Sequence, residues 1–263
     1  MTLESVSISE RTFDRLRLPD DALLKTAKRH EETLYKINIA PLVKHTSLSE
    51  EFLYWFKHLF LMTFFYDYCL DRSNEEQFPE ALFISANMFA DYRDFVNHQY
   101  GSQGLTTLNC NNAYQVRYQI LEKQWLHPSE YFKNFPDYSC YYKKQLLCLT
   151  HLQLLALNPN TAILANTLIE ICKEYWSCVL LIDDIMDAKQ DIETQTLTPL
   201  IVRYWHCYES MPTEHDIHVL MQDGDQELGY LVEKIDRLAF KTGFFDFMDN
   251  IYFLVDKARQ ASA

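Results

Sequence analysis

The chain has 263 residues, 48% of them hydrophobic and 14% aromatic, with a formal net charge of −13. That acidity, with no Lys/Arg stripe, argues against a nucleic-acid partner, because phosphate binding needs a basic face. Five glycines and eight well-separated prolines punctuate long segments, which predicts an all-α chain: a single-domain helical bundle of roughly ten helices.

Residues 1–18 read as a loosely held N-terminal arm and 19–263 as the helical domain. The polar, charged start is no secretory signal, and seven scattered cysteines without a CxxC pair fit reduced thiols in a cytoplasmic protein. A first helix is expected from Asp20 to about Ile39, before Pro41. A second opens at SLSEE, where Ser47 or Ser49 can cap, and runs through the apolar FLYWFKHLFLMTFFYDYCLD. The stretch 52–70 nears membrane-span length but contains Lys57, His58 and Asp67, so a buried helix is expected and no transmembrane segment.

A third helix is predicted over 80–100, then a loop at GSQGLTTLNCNN, then helix again from Ala113 to Trp125. HPSEYFKNFPDYS reads as a short helix between two turns. Further helices are expected over about 138–157, 160–189, 198–209, 213–240 and 244–259. The last carries Phe244, Phe247, Met248, Ile251 and Val255 as the stripe of a docked amphipathic helix.

Two acidic clusters stand out against this background. Asp183, Asp187 and Asp191 recur every fourth residue, with Asp184 beside the first, after the apolar run Val179–Ile182. On a helix they stack on one face, where like charges cost a few tenths of a kcal/mol per pair, so a cation is expected there. Asp67 and Asp71 repeat the arrangement at the end of the second helix. Facing each other, the pairs would rim an apolar, aromatic central cavity, with hard divalent ions and a diphosphate at its mouth.

These motifs resemble the trans-prenyl diphosphate synthases. LLIDDIMDAKQDIETQTLTPLI is similar to their second aspartate-rich region, DYCLD lies where the first would be, and 116 residues separate Asp67 from Asp183. YYKKQLL is similar to the helix that supplies a diphosphate-binding lysine, here Lys143 or Lys144. The resemblance implies the isoprenoid synthase fold from Asp20 onward. It differs from the family in four ways: Tyr68 stands in place of a second aspartate, only Arg72 follows, a basic pocket for isopentenyl diphosphate is not recognisable, and the lysine usually found after the second motif is missing, with Thr196 to Pro199 in its place.

The implied activity is therefore that of a magnesium-dependent class I terpene synthase, a lyase that ionises an allylic prenyl diphosphate and lets the cation cyclise or eliminate. Asp67, Asp71, Asp183, Asp184, Asp187 and Asp191 would hold roughly three magnesium ions with bound diphosphate. Asp67, Asp71, Asp183 and Asp187 count as catalytic, and Arg72, Lys143, Lys144 and Lys189 as diphosphate partners. Phe60, Phe64, Phe65, Tyr66, Tyr175 and Trp176 would line the cavity and attract the carbocation. The alternatives are a prenyl diphosphate synthase, a squalene-synthase-like coupling enzyme, or a non-catalytic partner subunit of the same fold. A homodimer fits the resemblance. A di-iron protein is disfavoured because no histidine has a glutamate three residues before it.

Overall fold

The computed structural model describes residues 7–18, 22–43, 48–70, 80–123, 129, 133, 138–194 and 196–261. Helix accounts for 90% of the structure and no strand occurs among the described residues, as expected of an all-α chain. HPSEYFKNFPDYS falls almost entirely outside them, as do Asp71 and Arg72. The chain divides into two compact units, Met1–Asn112 with Thr150–Leu155, and Ala113–Leu149 with Ala156–Ala263.

In the first unit, part of the expected arm is a packed helix, α1 (Ile8–Leu16). Its free N-terminal donors are met from inside and outside the helix. The Ser7 hydroxyl accepts from the Glu10 N–H. Glu31 accepts from the N–H groups of Ile8 at 2.8 Å and Ser9 at 3.0 Å, and from both serine hydroxyls. Ile8 and Phe13 are buried, with Phe13 against Phe65. A polar-looking sequence hid this helix because its anchor, Glu31, lies 22 to 24 residues away.

Helix α2 (Ala22–Leu34) passes through a π turn (Tyr35–Ile39) into the short α3 (Ala40–Val43). The wider turn carries the Tyr35 ring 4.3 Å beneath the ammonium of Lys57. Helix α4 (Glu50–Leu70) is capped by Ser49, whose hydroxyl accepts from the Phe52 N–H at 3.1 Å. Its interior residues are buried almost all round, Lys57 and His58 included. No helix among the described residues is long and apolar enough to cross a membrane.

Helix α5 (Glu80–Lys123) runs through the segment read as a loop. The break there is confined to Gly101, at φ 60° and ψ −149°, a conformation essentially reserved for glycine. The helix then resumes because its small and polar residues serve packing. A Cβ at Gly104 would lie 3.3 Å from Leu154 and closer still to Val96 and Tyr100. The Asn111 amide donates to Thr150 at 2.8 Å and Gln153 at 2.7 Å. Those two partners lie on α6 (Leu146–Leu155), which also carries the buried His151.

In the second unit a 3₁₀ segment, Tyr138–Gln145, leads into α6. Helix α7 (Ala162–Thr194) packs against α8 (Pro199–Tyr208), α9 (Ile217–Thr242) and α10 (Asp246–Ala261). It buries Leu168, Ile171, Tyr175, Trp176, Leu181 and Ile185. Thr198 caps α8 with Pro199 in its first turn, and Gly243 in the left-handed region ends α9. The α10 stripe is buried as its periodicity implies: Phe244, Phe247, Met248, Ile251 and Val255 all turn inward.

Candidate acidic site on helix α7

The aspartates of α7 do not act as a uniform ladder. Asp183 and Asp187, one turn apart, are exposed; Asp191 is half-buried; Asp184 is buried at 4% exposure. A carboxylate in that position needs partners, because stripping its water without compensation is costly. Two come from the 3₁₀ segment. The Tyr141 hydroxyl donates to Asp184 Oδ2 at 2.5 Å, and Lys144 Nζ lies 3.8 Å from Oδ1.

The geometry of that segment explains why these two residues reach one carboxylate. A 3₁₀ helix has three residues per turn, so side chains at i and i+3 eclipse. Tyr141 and Lys144 therefore share an edge. A second stitch lies seven residues earlier on α7, on the same face as Asp184: the Ser177 hydroxyl accepts from the Tyr142 N–H at 3.1 Å. Lys173 adds its ammonium over the Tyr142 ring at 5.3 Å. Tyr141 is the residue that sequence reasoning missed. It stands inside the quoted YYKKQLL, but its role depends on 3₁₀ rather than α register.

On the exposed side, desolvation raises the Asp187 carboxyl above the ordinary carboxylate range. Burial thus disfavours the charged form of this group. Lys189 does not supply a cation here. It is exposed and pairs with Glu193 at 3.8 Å, and being two residues on it lies about 200° around the helix from Asp187.

The remaining candidates fall as follows. Asp67 is exposed near the end of α4 and belongs to the first unit; Asp183, Asp184, Asp187 and Asp191 belong to the second. In the first unit Phe60 and Phe65 are buried, while Phe64 and Tyr66 are half-buried. Phe64 stacks on His30 at 3.9 Å. In the second unit Tyr175 and Trp176 are buried. Tyr175 packs edge-on against Phe247 at 4.9 Å, and burial pushes its hydroxyl pKa up, a shift opposed by a hydrogen bond with Asn250.

Among the described residues no three His, Cys, Asp or Glu side chains converge to hold a metal ion. The donors that are present suit a different mode of binding. Magnesium is commonly held by one or two carboxylates, with water and substrate phosphates completing its shell. Asp183 and Asp187 stand one turn apart on the exposed side of α7. The fold and this site define the class as an all-helical protein with a paired-carboxylate face anchored from behind. No protein-family model, curated protein or solved structure matches the chain.

Proposed function

We propose that the chain is a magnesium-dependent class I terpene synthase of the isoprenoid synthase fold, ionising an allylic prenyl diphosphate and releasing diphosphate. The observation that carries this reading is the division of labour on α7. Asp184 is held inward by Tyr141 and Lys144, while Asp183 and the partly desolvated Asp187 are left facing outward. Asp183 and Asp187 would hold the metal. When bound, the metal would stabilise charge on the departing diphosphate oxygen.

The chain's own residues have defined tasks in this reading. Asp183 and Asp187 orient the ionic head of the substrate. Tyr141 and Lys144 hold Asp184 inward, which fixes the face of α7 that carries Asp183 and Asp187. Exclusion of water around the prenyl tail would let the cation cyclise or lose a proton rather than be quenched. No protein nucleophile takes part.

The test is incubation with C10, C15 and C20 allylic diphosphates and magnesium, followed by assay of released diphosphate and mass spectrometry of the hydrocarbon extract. A cyclic or eliminated hydrocarbon with stoichiometric diphosphate supports the proposal. A longer diphosphate formed only when isopentenyl diphosphate is added would assign chain elongation instead. Binding without release would assign a non-catalytic subunit.

A further inference from the structure

Helix α9 meets α7 at a glycine. Gly224 is buried against Ile185, which stands on α7 between Asp184 and Asp187. A Cβ at position 224 would lie 2.8 Å from Ile185 Cγ1, 2.9 Å from its Cδ1 and 3.5 Å from Leu200 Cδ1. The first two separations are too short for carbon atoms, so the two helices come this close because residue 224 has no side chain.

Ile185 has little freedom to step aside. A β-branched side chain on a helix has one strongly preferred χ1, so the backbone of α7 carries its Cγ1 almost rigidly. Pressure at this point therefore passes to the helix itself. By helical geometry Ile185 lies about 160° around α7 from Asp183 and about 160° from Asp187 in the other sense. The Gly224 contact thus stands directly behind the exposed pair, while Asp184 is pinned from another side by Tyr141 and Lys144.

We infer that Gly224 is a positioning residue for the carboxylate pair. By admitting α9 to the back of α7, it sets how far Asp183 and Asp187 stand out from the second unit. This role rests on the proposed binding of metal by that pair, and Gly224 itself touches neither metal nor substrate. A second glycine on the same helix supplies the control, since an added Cβ at Gly229 meets nothing within 4 Å.

The test is binding of manganese(II), a spectroscopic stand-in for magnesium, to the full chain, read from the loss of the free ion's electron paramagnetic resonance signal. In protein that is folded by circular dichroism, Gly224→Ala should weaken binding about tenfold, the scale on which a metal site responds to loss of support behind its ligands. The magnesium concentration for half-maximal diphosphate release should rise with it, and Gly229→Ala should change neither. Removing the opposing side chain makes room for the methyl, so Gly224→Ala combined with Ile185→Ala should recover most of the affinity.

A glycine needed only for stability would lower the urea midpoint without altering the affinity of the folded chain. A folded Gly224→Ala variant with wild-type affinity therefore overturns the inference, as does a folded double variant that binds no better than the single one. If Gly224→Ala does not fold, the double variant decides: folding with near wild-type affinity supports the role, and weak binding overturns it. A wild type that binds manganese but releases no diphosphate, with the variants behaving as described, supports the positioning role and overturns the terpene synthase reading. A wild type that binds no manganese overturns both.

Discussion

The two units solve the same physical problem, polar groups inside an apolar interior, with different chemistry. The first uses imidazoles held neutral. His151 is fully enclosed, its Nε2–H donating to the Phe52 carbonyl at 2.9 Å and its Nδ1 accepting from the Tyr92 hydroxyl at 2.9 Å. His58 Nε2 likewise donates to the Met88 carbonyl at 2.9 Å. Desolvation lowers the His151 pKa to about 3 and those of His58 and His30 to about 4. The second unit buries a carboxylate, Asp184, between a tyrosine and a lysine. The His151 ring, with both nitrogens bonded, is held in one orientation by its neighbours. A buried carboxylate demands specific partners, and those partners fix the orientation of the helix face that carries Asp183 and Asp187.

That contrast can be broken most severely at the exposed acids. The double replacement Asp183→Asn with Asp187→Asn is expected to reduce magnesium-dependent diphosphate release by at least about 10²-fold. Its urea midpoint should stay near that of the wild type, because both side chains are exposed. A loss of release accompanied by an equal loss of folding would assign these acids to structure.

Asp184→Ala comes next. It leaves the buried Tyr141 hydroxyl and the largely buried Lys144 without their carboxylate, and should cost about 3 kcal/mol of stability in urea titration. Asp184→Asn retains an acceptor for Tyr141 and should cost about half as much. Equal losses for the two would mean that the hydrogen bond contributes nothing.

In the first unit, Gly101→Ala should destabilise by about 2 kcal/mol through backbone strain alone, since nothing lies within 4 Å of the added methyl. An unchanged urea midpoint would show that the α5 break does not need glycine.

The smallest effect per group is the response to acid. A histidine kept neutral in the folded chain takes up its proton only on unfolding. Its stabilising effect is therefore full above the unfolded value near 6.5, and is lost as pH falls toward the folded values of about 3 to 4. Between pH 6 and 5 each of the three should cost about 1 kcal/mol. His151→Gln should reduce that slope by its own share.

Much of this was legible in the order of residues. The helices of the second unit follow from periodicity and from local signals such as Thr198, Pro199 and Gly243, because each cap lies beside the helix it serves. The α10 core stripe follows for the same reason. Helix α1 and the stretch of α5 read as a loop, Gly101 to Asn112, did not, since Glu31 and the Asn111–Thr150 contact are tertiary. The acids of α7 were visible as a group, but helical spacing alone could not say which of them turns inward. That depends on Tyr141 arriving from a 3₁₀ segment whose register no α-helical pattern discloses.

The most direct test of the account compares Asp183→Asn with Asp184→Asn in one assay, the release of inorganic diphosphate from farnesyl diphosphate with saturating magnesium. The account predicts release by the wild type, none above background from Asp183→Asn, and partial release by Asp184→Asn that tracks its folded fraction. A wild type that releases no diphosphate from this or the C10 and C20 substrates would contradict it, as would an Asp183→Asn variant that turns over normally.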